Sequence, residues 1–409
     1  MDSVELDVTG IAHGGFGVAR GADGRVVFVA DAIPGERVRA VLTESKKSFA
    51  RAVAVEVLEA SPDRVDHVWP EASIERAPER RVGGAEFGHI RLARQRALKA
   101  EVLRDALQRF GGVAPERIAA LEAVAPGEPV QAAPGDEAAN GLGWRTRVRL
   151  HVAPDGRPGQ FAPRSHRVVP VASLPLADPG TAPVLRQIFA AGDTIDAITT
   201  GGELRLVFST TKGPAQKPTV ITERAGERTF RVDDTGFWQV HREAPGVLVR
   251  AVREAIDGDL LDPSAANLDL YGGVGLLASA IADVGGAGTR VETIESDERA
   301  SRHAAENLGD LPDAVATTAR VDRWARSAAP APGATIVLDP PRSGAGIETA
   351  AAIAGLGAAQ LVYVACDPVA LARDTRTLEE HGYELTRLRA HDLFPHTHHL
   401  EAVATFIRR

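Results

Sequence analysis

The stretch Leu361–Asp374, LVYVACDPVALARD, decides how the chain is read. Its first five residues are apolar and partly β-branched, which predicts a buried strand. Asp367-Pro368 breaks that run, and residues 369–374 resume at helical spacing. A strand that turns straight into a helix is the repeating unit of an open α/β sheet, whose ligands collect at the carboxyl ends of its strands. Cys366, the only cysteine in 409 residues, stands at such an end. Two readings of that thiol are open. Helix N–H groups nearby can lower its pKa and make it a nucleophile, or it is a small buried hydrophobe.

Outward from this stretch, the same grammar of alternating strands and helices begins at about Thr229. Ala266–Leu270 reads as a strand that runs into Tyr271-Gly-Gly-Val-Gly and then a helix over Leu276–Asp283. Gly272, Gly273 and Gly275 let a cofactor approach the backbone closely, although their spacing is not the GxGxxG of dinucleotide enzymes. The next strand, Arg290–Ile294, ends at Glu295, and an acid there is the usual partner of a ribose. Together these features point to an adenosine-containing cofactor. The strand Thr335–Leu338 ends in Asp339-Pro340-Pro341-Arg342, and a last strand, Glu401–Ile407, follows a histidine group at 391, 396, 398 and 399. A zinc site needs oriented ligands, and these histidines in a proline-bounded loop do not predict one.

The first half reads differently. Strands at Val4–Val8, Arg25–Val29, Arg37–Leu42 and Arg51–Leu58, with glycine turns at 14–17 and 21–24, predict a small barrel of the oligonucleotide-binding kind. Lys46, Lys47 and Arg51 read either as phosphate contacts or as solvated charges. Residues 61–88 lose periodicity, with prolines at 62, 70 and 78. Ile90–Phe110 predicts a helix stopped by Gly111-Gly112, and residues 125–140 read as a loop. Gly141–Val171 is the most basic segment, with six arginines against Asp155 alone. Arg145, Arg147 and Arg149 alternate with Thr146, Val148 and Leu150, as on a strand with one wet face. Trp144 and Phe161 flank the arginines and are expected to stack on bases. Further strands are expected at Glu203–Ser209 and Thr219–Thr222.

Composition sets the outer limits. The chain is too long for one ordinary core, and 44% hydrophobic with 25% charged residues is a globular composition. The acidic start MDSVELDV is no signal peptide, no apolar run is long enough to span a membrane, and one cysteine supplies no disulfide or cysteine-rich metal site. A cytoplasmic setting is expected. The net charge of −8 does not advertise nucleic-acid binding, but only five of the 47 basic residues are lysine. That arginine preference suits bidentate phosphate contacts, though genomic base composition explains it as well.

The motifs FWQVH at 237–241, DLYGGVG at 269–275, LDPPRSG at 338–344, VYVACDP at 362–368 and HHLEAVA at 398–404 resemble, in this order, the RNA (uracil-5-)-methyltransferase family. The resemblance is dense over 231–409, and residues 1–60 resemble its TRAM domain. It implies a fold of class α/β: a Rossmann-like methyltransferase domain with an N-terminal OB-like β-barrel and a central mixed α+β RNA-binding domain. The expected division is a barrel at 1–60, a linker at 61–89, a helical segment at 90–124 packing on the methyltransferase domain, a central domain at 125–230 and the methyltransferase domain at 231–409. The activity implied is transfer of a methyl group from S-adenosylmethionine to C5 of a uridine in tRNA or 23S rRNA. Cys366 then matches the nucleophile and Glu401 the general base. Gln239, Tyr271, Glu295 and Asp339 match positions that hold the methyl donor, with Gly273 in the glycine turn and Asp322 as an adenine contact.

This sequence departs from the family pattern in four places. Ala365-Cys366-Asp367-Pro368 stands where SCNP is common, and Asp367 is expected to raise the thiol pKa by like-charge repulsion. Gly272 stands where a cysteine is common, and Leu276 where a polar residue is common. The segment that carries iron–sulfur cysteines in many members, here His67–His89, has none, so no cluster is expected. Two alternatives remain: a cytosine-5 RNA methyltransferase, which typically uses a second cysteine, and a non-catalytic RNA-binding protein with a cofactor domain. An amino-group methyltransferase is disfavoured by Arg342, where that class usually has an aromatic. RNA is the expected partner, no membrane is, and monomer is the default.

Overall fold

A computed structural model describes residues 3–124, 128–209 and 216–409. The chain divides into two compact units, one of residues 1–102, 134–217 and 394–399 and one of residues 103–133, 218–393 and 400–409.

In the first unit, strands β1 (Ser3–Ala12), β2 (Phe16–Arg20), β3 (Val26–Ala30), β4 (Arg37–Ser45) and β5 (Phe49–Glu59) close into a barrel of order β1-β2-β3-β5-β4. Alternate residues such as Leu6, Val8, Val27, Val29, Val38 and Ala40 fill its interior. The sequence reading found four of these five strands and took 14–17 as a turn. Only Gly14 and Gly15 turn; Gly17 is in β2, where a Cβ would meet Val8 Cγ1 at 2.7 Å, so its glycine serves close packing rather than a bend.

The segment read as a linker has no strand or α-helix but is firmly packed, with Trp69, Val82, Ala85 and Phe87 all buried. Two arginines secure it. Arg64 binds both oxygens of buried Glu36 at 2.5 and 2.8 Å, and Arg81, 2% exposed, binds Asp31 at 2.6 Å and the carbonyls of Ala54, Ile74 and Arg76. Helix α1 (Leu92–Ala106) follows, then a π-helical turn at Leu107–Gly111 and left-handed Gly112, so the expected stop signal works as read. Helix α2 spans Pro115–Val124.

The loop expected at 125–140, part of which lies outside the described residues, contains a strand, β6 (Val130–Ala132), in the second unit. Back in the first unit, β7 (Arg147–Val152), β8 (Pro158–Phe161), β9 (Val168–Pro170), β10 (Thr194–Thr200) and β11 (Glu203–Ser209) form an antiparallel sheet of order β11-β10-β7-β8-β9. Trp144 corrects an expectation: it is 2% exposed and edge-on to Phe394 at 6.2 Å, a core residue rather than a base-stacking one. Phe161 is already stacked on His151, with ring centroids 3.6 Å apart.

The second unit continues with the hairpin β12 (Val220–Ala225) and β13 (Arg228–Asp233) and then helix α3 (Ala244–Ala255). Strand β6 and this hairpin fall in the second unit, while the sheet of β7 to β11 falls in the first. The alternation runs β14 (Asn267–Leu270), α4 (Leu276–Gly285), β15 (Val291–Glu295), α5 (Glu298–Asn307), β16 (Ala314–Thr318), α6 (Val321–Ser327), β17 (Thr335–Leu338), α7 (Ile347–Gly355), β18 (Gln360–Ala365), α8 (Pro368–Glu380), β19 (Tyr383–Asp392) and β20 (Glu401–Arg408). The sheet order is β16-β15-β14-β17-β18-β20-β19-β6, parallel from β16 to β18 and antiparallel on both sides of β20. Every residue of β14, β17 and β18 is buried, as expected of strands covered on both faces.

Candidate active site

The sequence-predicted residues fall in a row along one edge of this sheet, in strand order. Asp322 is in the first turn of α6, just after β16. Glu295 ends β15, Tyr271 and Gly273 follow β14, and Asp339 follows β17. Cys366 follows β18, whose last residue pairs across the sheet as Ala365↔Ala402, so the next step of the register brings Cys366 to Glu401 at the start of β20. An antiparallel neighbour is what allows a strand's first residue to meet another strand's end. Gln239 stands outside the row, half-buried on the segment between β13 and α3.

After β14, the glycine turn bends tightly. Gly275 N donates to Gly272 O at 2.9 Å, Gly272 N to Ile294 O at 3.1 Å and Gly273 N to Glu295 Oε2 at 3.0 Å. Tyr271 is left-handed with φ 61°, unusual for a side chain other than glycine. Gly273 has φ 54° and open space where a Cβ would stand, so the turn presents bare backbone to a cradle. Gly272 has no such freedom: a Cβ there would lie 1.8 Å from Thr293 Oγ1 and 2.7 Å from Asp269 Oδ2. Thr293 thus fills the space that the commoner cysteine at 272 would need. Glu295 Oε1 accepts from Asp297 N at 2.7 Å, and Asp322 is gripped by Arg320 through two bonds of 3.0 Å.

Below this turn lies an acid that the sequence reading quoted but assigned no role. Asp269 is fully buried; its Oδ2 accepts from Ala278 N at 3.0 Å and Thr293 Oγ1 at 3.3 Å, while its Oδ1 has no hydrogen-bond partner. Burial pushes it up to about 7. Burial and the nearby Asp269 carboxylate also push Asp339 up to about 7. Glu401, 4% exposed, is driven well above the usual carboxylate range by burial and by Asp339, against the pull of Arg342.

Cys366 is half-buried, and its thiol is pushed up to about 12 by burial first, then by Glu401 and Asp339, with Arg342 pulling the other way. Asp367 raises it as well, after these larger causes. Its carboxylate also caps α8, accepting from Val369 N at 3.0 Å and Ala370 N at 2.8 Å. The histidine group serves packing: His396 bonds Gln95 at 3.0 Å and Asn140 O at 2.8 Å, and burial holds His391 down at about 4. Among the described residues, no group of three potential ligands is placed to hold a metal ion. No helix among them is long and apolar enough to cross a membrane.

A mostly parallel sheet with a bare glycine turn after one strand and an acid ending the next defines a Rossmann-type fold. Comparison with known proteins narrows the class. A sequence profile of tRNA (uracil-5-)-methyltransferases matches residues 317–409, and one of the TRAM domain matches residues 2–55. An uncharacterized RNA methyltransferase of Streptomyces avermitilis is 38% identical, covering 98% of each chain. The 23S rRNA (uracil(1939)-C(5))-methyltransferase RlmD of Alkalilimnicola ehrlichii is 31% identical over 99% of this chain and 96% of its own. The crystal structure of Pyrococcus abyssi tRNA (uracil-54, C5)-methyltransferase in complex with S-adenosyl-L-homocysteine shares the fold, with a TM-score of 0.70 at 20% identity and coverage of 98% and 99%. The chain belongs to the RNA (uracil-5-)-methyltransferase family.

Proposed function

We propose that the protein methylates C5 of a uridine in RNA, with S-adenosylmethionine as donor and Cys366 as covalent nucleophile. The observation that carries this reading is the Ala365↔Ala402 register, which makes the single thiol and the buried acid neighbours. The donor side fits an adenosine-containing cofactor: the open backbone at Gly273 leaves room for it, Glu295 is the ribose partner, and Tyr271, Gln239, Asp322 and Asp339 complete the pocket. When bound, S-adenosylmethionine supplies an electrophilic methyl group on a cationic sulfonium.

C5 of uracil is too weak a nucleophile for that methyl group until C6 carries an added thiolate. In this reading Cys366 gives its proton to solvent and attacks C6 as the thiolate, the C5=C6 electron pair moves toward O4, and C5 becomes enolate-like. After methylation Glu401, as the carboxylate, removes the C5 proton, and the electrons return to expel the thiolate of Cys366. A carboxyl held well above its ordinary range matches the demand of taking a carbon-bound proton. Burial also holds the thiol toward its neutral form, so Cys366 must lose its proton before it adds to C6. The target base must leave its stack to enter such a pocket. Of the two RNA classes, 23S rRNA is preferred because a near-full-length relative is named for it.

Incubation with methyl-labelled donor and separate tRNA and rRNA pools, followed by nucleoside analysis, tests the reading. Label in 5-methyluridine from rRNA is expected. Label in 5-methylcytidine would replace the uridine by the cytosine alternative, and label in neither pool would favour a binding protein. Cys366→Ala is expected to abolish transfer. Glu401→Gln should instead leave RNA attached to protein through a bond that survives denaturing electrophoresis.

A further inference from the structure

One buried acid near the site has no part in the chemistry above. Asp374, in the second turn of α8, is 2% exposed, and its Oδ2 accepts three hydrogen bonds: from Tyr363 Oη at 2.6 Å, Ala345 N at 2.7 Å and Gly346 N at 3.4 Å. Ala345 N also approaches Tyr363 Oη at 3.2 Å. Three elements therefore meet on one oxygen. They are the strand that carries the thiol, the helix that follows it, and the segment leading from the Asp339 loop into α7.

That last segment begins with a tight turn, closed by Gly344 N donating to Pro341 O at 2.7 Å, with Arg342 at its outer corner. Gly344 has φ 80°, and a Cβ on it would lie 2.6 Å from Asp374 Oδ2, so the turn rests directly against the carboxylate. Strands β17 and β18 pair as Leu338↔Tyr363, so the segments that carry Arg342 and Cys366 leave the sheet side by side, and the Arg342 charge reaches the thiol. Arg342 is exposed and, among the described residues, has no ion pair of its own. With no side-chain anchor, the region this cation can reach is set by where the turn puts its backbone.

We propose that Asp374, with Tyr363, is a positioning residue that holds the exit of the Pro341–Gly344 turn and thereby keeps Arg342 beside the thiol of Cys366. This rests on the reading of Cys366 as nucleophile. Around the thiol, Glu401, Asp339 and Asp367 oppose ionisation and Arg342 favours it. Around Asp374 stand Tyr363 and Arg373, with Tyr271 also within its field. Loosening the turn removes the one favourable charge from the thiol and leaves the three unfavourable ones.

Because Cys366 is the only cysteine, iodoacetamide alkylation of the full chain, followed by intact mass and read against pH, reports its thiolate alone. Asp374→Ala is expected to slow alkylation about fivefold at a fixed pH and to move the profile upward, as loss of a neighbouring charge does. Asp374→Asn, whose amide oxygen still accepts from Ala345 and Gly346, should remain within about twofold of the parent. Tyr363→Phe, which removes one hydroxyl and keeps the packing, should fall between them and carries the test if the alanine variant does not fold.

The decisive comparison repeats these changes in an Arg342→Ala background, where no further slowing is expected. Equal slowing in both backgrounds, or an unshifted profile for both Asp374→Ala and Tyr363→Phe, overturns the proposal. The readout needs neither RNA nor methyl donor. Absence of 5-methyluridine from the parent protein would therefore defeat the functional reading without touching this result, and an unshifted alkylation profile would do the reverse.

Discussion

The molecule buries charge in two regions and treats it in opposite ways. Under the barrel, Arg64 and Arg81 each meet a carboxylate and backbone carbonyl oxygen, so each of these two buried cations has a counter-charge and hydrogen bonds. Along the edge of the large sheet, burial raises Asp269, Asp339 and Glu401, with Asp269 adding to the shift at Asp339, Asp339 to that at Glu401, and Arg342 as the cation that opposes the shift at Glu401. Satisfied burial fixes a segment that has no regular structure of its own. Unsatisfied burial destabilises, and it persists where proton transfer and ligand charge can use it.

The largest effect should come from breaking the satisfied side. Arg81→Met leaves Asp31 and three carbonyls without their donor and is expected to cost about 3–5 kcal/mol in chemical denaturation. The opposite sign is expected at the sheet edge. Asp269 has a folded pKa of about 7, above its ordinary 3.8, so its contribution is fully present below pH 3.8 and is lost as pH rises through 7. Asp269→Asn should therefore stabilise the ligand-free protein at pH 8 by on the order of 2 kcal/mol and flatten the fall in melting temperature between acid and neutral pH. A steeper fall in the variant would refute the assignment of that loss to Asp269.

A smaller change sharpens the same comparison. Thr293→Val removes one of the two hydrogen bonds to Asp269 Oδ2 and should cost about 1 kcal/mol, with more of the cost at high pH than at low. The smallest stability effect belongs to an exposed pair. Arg149 binds Asp196 through two bonds of 2.8 and 2.9 Å, and Arg149→Ala should change stability by under about 1 kcal/mol. If its strand faces RNA, the slope of log affinity against log salt should fall by about 1 in filter binding, uniformly across sequences.

Much of the site was legible because chemistry in an open sheet sits where strands end, and strand ends are where sequence signals are strongest. Apolar runs halted by Gly-Gly, Glu, Asp-Pro-Pro and Cys-Asp-Pro mark Tyr271, Glu295, Asp339 and Cys366 without any knowledge of the pairing. What pairing decides stayed hidden. Nothing in LARD signals that Asp374 reaches back to a turn 29 residues earlier. Thr293 reads as an ordinary strand residue, yet its hydroxyl is what makes glycine necessary at 272. Trp144 shows a different lapse: it shares the parity of Thr146, Val148 and Leu150, so the alternation that exposed the arginines already pointed it inward. Strand β2 was missed because a short strand with glycine at a close-packed position looks like a turn until its neighbour is known.

The sheet's order also differs from the order in which its strands are made. The donor half of the row, Tyr271 through Asp339, comes from consecutive parallel units and is present in the nascent chain before β18 exists. Glu401 comes from β20, which inserts between β18 and β19 after both have been synthesised. N-terminal portions fold first as a chain leaves the ribosome. The first strands of the row can thus take shape while the thiol still lacks its neighbouring acid, and the pair proposed to react is the final piece to be assembled.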